Sequence, residues 1–349
     1  MTPIAATNDF VIKFANVNGS GSASANEMFA KSIIRMGVPV SPRNIFPSNI
    51  QGLPTWYEVR VTEQGWLGRR GGVDLMVAMN PQTWAADVKE IEPGGYLFYD
   101  NSKPLPKSSF REDVTVIGMP LTQISNATYD DPRQRQLFKN IIYVGALSHL
   151  LGIDADVIET LIGQQYKSKP KLLDANIHAL HLGITHAKEH LAPIGLRVQK
   201  ADNVGDKIFV DGNTAAALGC VYGGATVCAW YPITPSSSLA EAFQSYCQKF
   251  RVDPATGKNR YAMIQAEDEI ASIGIVTGAG WNGARAFTTT SGPGVSLMNE
   301  FIGLAYFAEI PVTIIDVQRG GPSTGMPTRT QQSDIVAAAY ASHGDTKHV

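Results

Sequence analysis

The chain has 349 residues, 44% of them hydrophobic and only 17% charged, with a formal net charge of −2. That is enough apolar material for a large core and too much chain for one average domain, so two domains are expected. The near-neutral balance, without a long cationic run, excludes an electrostatic binder of nucleic acid or anionic membrane.

No stretch of about eighteen consecutive apolar residues suggests a membrane span, and the N-terminus lacks a basic region followed by an apolar one. A cytoplasmic protein is expected. The three cysteines, Cys220, Cys228 and Cys247, lack the short paired spacing of zinc or iron–sulfur ligation and read as core thiols.

In chain order, residues 10–15 alternate like a strand and run into a small-residue loop, 16–26, after which 27–36 has helical periodicity. Strands are predicted at 57–62, 73–78, 96–99 and 114–117, followed by helices over 133–150 and 154–164. From about 178 to 206 the chain is helical and then polar and irregular, which places a domain boundary there. A small-residue helix over 212–224 is expected to be capped by Asn213. Short apolar strands then recur at 225–230, 261–265, 284–288 and 312–317, separated by helix-length segments. This spacing predicts parallel strands with helical crossovers, a second α/β unit.

In an open parallel sheet, ligands sit beyond the carboxyl ends of the strands. The segments found there are Tyr231-Pro-Ile-Thr-Pro235, Ala266-Glu-Asp-Glu269, Thr289-Thr-Ser-Gly-Pro-Gly294 and Arg319-Gly-Gly-Pro-Ser-Thr-Gly325. Each has a plain structural reading. Thr234 or Ser236 caps the next helix, the acidic run favours a helix dipole, the glycines make a turn, and Arg319 closes a surface ion pair. Their convergence on one rim favours a ligand site, and hydroxyls with one arginine suit a carboxylate. The histidines His178, His181, His186 and His190 fall on one helical segment without an accompanying carboxylate or cysteine pattern, and read as a solvated face rather than a metal site. The loop Gly19-Ser-Gly-Ser-Ala23 is a degenerate glycine-rich turn, weak as a nucleotide signal.

Taken in order, Tyr231-Pro-Ile-Thr-Pro-Ser-Ser237, Ala266-Glu-Asp-Glu-Ile-Ala271, Thr289-Thr-Ser-Gly-Pro-Gly294 and Ile315-Asp-Val-Gln-Arg-Gly-Gly-Pro-Ser-Thr-Gly-Met-Pro-Thr328 resemble the α subunit of 2-oxoacid:ferredoxin oxidoreductases. The first half is similar to the family's γ domain, most clearly in Asn44-Ile-Phe-Pro-Ser-Asn-Ile-Gln-Gly-Leu-Pro-Thr-Trp-Tyr-Glu-Val-Arg60. A γ domain fused ahead of an α domain is the arrangement of 2-oxoglutarate:ferredoxin oxidoreductase α subunits. The fold implied is α/β: a γ-type domain over 1–200, then a doubly wound, pyrimidine-binding thiamine-diphosphate-enzyme domain over 201–349, cut short at its C-terminus.

The resemblance implies decarboxylation of a 2-oxoacid on thiamine diphosphate, electron transfer through an iron–sulfur cluster to ferredoxin, and acyl transfer to coenzyme A. It makes Glu267, taken as partly buried, the catalytic carboxylate that contacts the aminopyrimidine, leaving Asp268 and Glu269 structural. Thr234, Arg319, Thr324 and Thr328 would hold the substrate carboxylate; Tyr231, Pro232, Ile233, Ser291 and Gly292 would line the cofactor. No Gly-Asp-Gly motif and no cysteine cluster is present, so Mg2+ and a [4Fe-4S] cluster are expected on a separate β subunit, in an α2β2 heterotetramer whose active site lies between subunits. Other 2-oxoacids, such as pyruvate or a branched-chain one, a noncatalytic scaffold, and a nicotinamide-dependent oxidoreductase stand as alternatives.

Overall fold

The computed structural model describes residues 2–46 and 50–342, in two compact units that divide between Ile208 and Phe209. Pro47, Ser48 and Asn49 of the γ-like motif, and the tail from residue 343, lie outside the described residues.

The first unit is built on a six-stranded sheet of order β3-β4-β2-β5-β6-β7. Its strands are β2 (Asp9–Val17), β3 (Val40–Ile45), β4 (Pro54–Thr62), β5 (Val73–Ala78), β6 (Ile91–Asp100) and β7 (Thr115–Met119). β2, β5, β6 and β7 run parallel, while β4 is antiparallel to both β2 and β3. A two-residue strand, β1 (Ala6–Thr7), pairs with β8 (Leu196–Arg197). Alternation along the strands sends Phe10, Ile12, Phe14, Val59, Val61, Leu75 and Val77 to one face. There they meet α1 (Ser22–Arg35), α4 (Pro132–Leu151), α5 (Ala155–Gln165) and α6 (Pro170–His190). Burying side chains such as Phe14 and Phe29 contributes about 1.5–3 kcal/mol each.

Local rules set the helix bounds. Asp131 accepts a hydrogen bond from the Gln134 N–H at 2.8 Å, Pro132 follows at the first helical position, and Gly152, with φ 74°, ends α4 in the left-handed region. α4 and α6 then approach backbone to backbone. A Cβ on Gly145 would lie 2.1 Å from the Leu180 carbonyl oxygen, and one on Gly183 2.0 Å from that of Ile142. The opposite sheet face carries a smaller core with α2 (Trp84–Lys89) and part-buried polar pairs: Lys13 with Glu90, and Trp56 donating to Asp87 at 2.8 Å. Burial pushes the Asp87 carboxyl up despite these donors. A short helix, α3 (Leu121–Thr128), precedes α4.

In the second unit, β9 (Val227–Trp230), β10 (Ala262–Gln265), β11 (Ala286–Thr290) and β12 (Thr313–Asp316) form a wholly parallel sheet of order β10-β9-β11-β12. α7 (Gly212–Tyr222) and α8 (Ser237–Phe250) pack on one face around Cys228, Phe243 and Phe287. α9 (Glu269–Trp281) and α10 (Gly292–Phe307) cover the other around Ile273, Val295 and Met298. The chain goes from β9 outward to β10 and returns to β11 on the other side of β9, so the order reverses between β9 and β11. The crevice above that point is where this topology receives ligands.

The Asn213 cap is corrected. Asp211 caps α7, its carboxylate accepting from the Thr214 N–H at 2.9 Å, whereas Asn213 donates to the Pro235 carbonyl and to Ser238. Asp211 lies outside the apolar run and prevails because its carboxylate reaches a free first-turn donor. The cysteines are free; Cys228 and Cys247 are buried and Cys220 half-buried, and burial pushes all three thiols up. No helix among the described residues is long and apolar enough to cross a membrane.

Candidate active-site rim

The carboxyl ends of β9–β12 bring three side-chain groups to one edge. The first joins the loops after β9 and β12. Arg319, 8% exposed, donates its Nη1–H to the Thr234 carbonyl at 2.8 Å. Its Nε is buried and has no partner. A guanidinium held by one nitrogen, with another donor left over in a desolvated place, suits an incoming carboxylate. Thr234 does not cap α8: its side chain is exposed, and Ser236 at the cap position donates instead to the Ile233 carbonyl at 3.0 Å. Among the described residues the Thr234 hydroxyl takes part in no hydrogen bond. Tyr231 and Pro232 are exposed and Ile233 is half-buried, its carbonyl accepting the N–H groups of Ser236 and Ser237.

The second group joins the loop after β10 to the end of β11, and it corrects the expectation of a partly buried glutamate at 267. Glu267 is exposed. Asp268 caps α9, accepting from the Ala271 N–H at 2.7 Å, which makes Glu269 the first residue of the helix and turns it inward. Glu269 is 7% exposed and, among the described residues, takes part in no hydrogen bond or ion pair. The positive end of α9 favours its negative charge there. It packs over the first turn of α10: a Cβ on Gly294 would fall 1.9 Å from Thr290 Oγ1 and 2.9 Å from Glu269 Cγ. Glycine is what lets the carboxylate side chain approach.

At the end of β11, Thr288, Thr289 and Ser291 are fully buried, and the hydroxyl of each lacks a partner. Thr290 belongs to β11 rather than to a loop, so the turn begins at Ser291, which caps α10 without a side-chain bond. Gly292 is half-buried because Asp334 sits against it, the carboxylate 2.5 Å from where a Cβ would be.

The third group is the root of the long loop after β12. Gln318 accepts the N–H groups of Ser333 and Asp334 at 2.8 and 3.1 Å, and Ser333 donates its hydroxyl to the Arg319 carbonyl at 2.6 Å. Thr328 is half-buried with an unpartnered hydroxyl, but Thr324 is exposed at the far side of the loop and joins neither group. At the end of β12, both carboxylate oxygens of Asp316 are buried without a partner. Desolvation, aided by the nearby Asp334 charge, pushes its carboxyl up to about 6. Asp316 and Gln318 carry no signal in the sequence beyond lying within a motif, and Ser333 and Asp334 none beyond lying near one. Glu269 had one, an acidic run whose helix start was undetermined.

The histidine segment folds as part of α6, where His181 contacts Glu159 at 2.9 Å and the His186 and His190 rings lie tilted to each other, 4.6 Å apart. Among the described residues no cluster of three or more His, Cys, Asp or Glu is arranged to hold a metal.

Comparison with known proteins gives the family. Residues 11–186, half of the chain, match the model of the pyruvate ferredoxin/flavodoxin oxidoreductase family. Residues 218–348 match the model described as pyruvate flavodoxin/ferredoxin oxidoreductase, thiamine diphosphate-binding. The chain belongs to the pyruvate ferredoxin/flavodoxin oxidoreductase family. The 2-oxoacid:ferredoxin oxidoreductase 2 subunit alpha of Aeropyrum pernix is 30% identical over 98% of this chain and 60% of its own length. The 2-oxoglutarate oxidoreductase subunit KorA of Mycobacterium tuberculosis is 29% identical over 96% of this chain and 54% of its own. A solved structure of 2-oxoglutarate:ferredoxin oxidoreductase from Magnetococcus marinus, with 2-oxoglutarate, coenzyme A and succinyl-CoA bound, superposes with a TM-score of 0.85 at 32% identity. It covers 97% of this chain and 57% of that one. The chain thus spans a little over half the length of these relatives. The γ-like first unit and the thiamine diphosphate-binding second unit agree with the expected fold class.

Proposed function

We propose that the chain contributes the γ–α half of a 2-oxoglutarate:ferredoxin oxidoreductase, its two units being the γ-type and pyrimidine-binding domains. The overall reaction converts a 2-oxoacid and coenzyme A to acyl-coenzyme A and carbon dioxide, delivering two electrons singly to ferredoxin. A β subunit would complete the site and carry Mg2+ and a [4Fe-4S] cluster, in a cytoplasmic α2β2 assembly. The observation that carries the reading is Arg319: buried, anchored on the Thr234 carbonyl, and with Nε left as a free donor.

The residues present fit thiamine diphosphate. An aminopyrimidine ring offers nitrogen donors and acceptors to a buried edge, and the edge holds an unpartnered carboxylate, Glu269, and the unpartnered Ser291 hydroxyl. Bound thiamine diphosphate supplies the electron sink that decarboxylation of a 2-oxoacid requires. Glu269 takes the role first expected of Glu267, exchanging a proton or hydrogen bond at the ring nitrogen, because it is turned inward at a helix N-terminus whereas Glu267 is exposed. Tyr231, Pro232, Ile233 and Gly292 would line the cofactor. Arg319, Thr234 and Thr328 orient the substrate carboxylate; since it leaves as carbon dioxide, the clamp has to direct it without overstabilising the anion.

The relatives named for 2-oxoglutarate support that substrate over pyruvate. The test is viologen reduction by the chain assembled with its β subunit, given coenzyme A and 2-oxoglutarate, pyruvate or a branched-chain 2-oxoacid. Preferred turnover of 2-oxoglutarate is expected. Equal rates would remove the specific substrate, and no turnover with any 2-oxoacid would favour a scaffold.

A further inference from the structure

We propose that Gln318 is a positioning residue that fixes Arg319 by closing the root of the loop formed by residues 319–332. This rests on the reading of Arg319 as the ligand of the substrate carboxylate. The loop leaves β12 and returns alongside itself, with an antiparallel bridge between Arg319 and Thr330 and a hydrogen bond from the Gly320 N–H to the Arg329 carbonyl at 2.7 Å. Beyond this bridge, toward the sheet, the next contacts across the root are made by side chains. The Gln318 carbonyl oxygen accepts the Ser333 N–H at 2.8 Å and the Asp334 N–H at 3.1 Å, the work a backbone carbonyl would do in a longer ladder.

Ser333, so held, returns its hydroxyl to the Arg319 carbonyl at 2.6 Å, while Arg319 itself reaches across to Thr234. Besides its bridge to Thr330, Arg319 is therefore held in three ways: by its chain neighbour, through its own carbonyl, and through its guanidinium. Only the first two depend on Gln318. Asp334 adds a seat for the returning strand, since its carboxylate lies where a Cβ on Gly292 would be. Gln318 is not part of an apolar core and borders an open cavity of about 510 Å³ together with Asn213, Thr330 and Gln331. Its removal should loosen the loop while leaving the sheet intact.

The experiment compares Gln318→Leu, which loses the acceptor, with Gln318→Glu, which keeps it, in the chain assembled with its β subunit. Gln318→Leu is expected to speed hydrogen exchange at the Ser333 and Asp334 amides and to lower kcat/KM for the 2-oxoacid about tenfold, chiefly through KM. Thiamine diphosphate affinity and Tm should be unchanged, and Gln318→Glu should restore both slow exchange and turnover. Unchanged exchange in Gln318→Leu, or faster exchange with unchanged kcat/KM, would overturn the proposal, as would equal damage in both variants. If the wild-type assembly turns over no 2-oxoacid, the substrate reading of Arg319 fails, and this role of Gln318 fails with it even where exchange shows the loop root to be closed.

Discussion

Arg319 Nη1 donates to the carbonyl of Thr234 across 85 residues of sequence, so the two halves of the proposed carboxylate clamp are fastened to each other. The bond uses the Thr234 backbone and leaves its hydroxyl and the Arg319 Nε free for a ligand.

Arg319→Ala should therefore cost more than one charge. We expect kcat/KM for a 2-oxoacid to fall by roughly a hundredfold or more, in line with loss of an orienting contact, while thiamine diphosphate still binds. Arg319→Lys keeps the charge but not the fork and should rescue poorly. Steady-state kinetics with a cofactor titration reads both, and undiminished turnover in Arg319→Ala would remove its role.

Glu269 and Glu267 make opposite forecasts. Glu269→Gln should reduce turnover by about a hundredfold or more, within the usual contribution of a general acid or base, and weaken cofactor activation; Glu267→Gln, at an exposed position, should change little. Measured kcat for the two variants side by side decides the assignment. The reverse ranking would restore Glu267.

Asp316 carries a pH signature. Its carboxyl sits at about 6 in the folded chain against an ordinary value near 3.8, so the folded state holds the proton more tightly than the unfolded one. Protonation stabilises the fold fully below the unfolded value; that contribution is lost as pH rises from about 4 to 6 and stays absent above. Asp316→Asn should therefore raise Tm at pH 7.5 by about 2–4 °C, as for a gain near 1 kcal/mol, and much less at pH 4. A Tm gain that does not change with pH would contradict this.

Gly145→Ala tests the first unit. A methyl group there meets the Leu180 carbonyl oxygen at 2.1 Å, so α4 and α6 must separate. A loss of about 1–3 kcal/mol is expected by denaturant unfolding, without a change in the second unit's transition.

Much of this architecture was legible in the sequence because the second unit's strands are short apolar runs followed at once by glycine, proline or hydroxyl residues. β9, β10 and β12 fall within a few residues of their predicted positions, and β5 at its predicted span. β3 was not legible: Val40-Ser-Pro-Arg-Asn-Ile45 lacks apolar alternation and holds a proline, which an edge strand tolerates. The end of β11 reads as a loop in the sequence because threonine suits both strands and turns. The inward-facing carboxylate is hidden in the sequence for a different reason. In Glu267-Asp-Glu269 every residue is acidic, and which one turns inward depends on where α9 begins. That start is set by Asp268 reaching the Ala271 N–H, a contact no spacing rule reveals. The roles of Gln318 and Ser333 depend on a chain return fourteen or more residues later, beyond any local pattern.

The Asp268 cap has a consequence for how relatives should be compared. It acts as a punctuation mark between β10 and α9, and Glu269 owes its address to that mark rather than to its rank among the acids. A homologue that gains or loses one residue before the cap would keep its carboxylate in the crevice provided the cap and the residue after it stay adjacent. Columns matched by counting acids from the strand would then pair a solvent-facing side chain with a buried one. Alignment anchored on the helix start would preserve the chemistry, and drift at position 267 would carry little meaning.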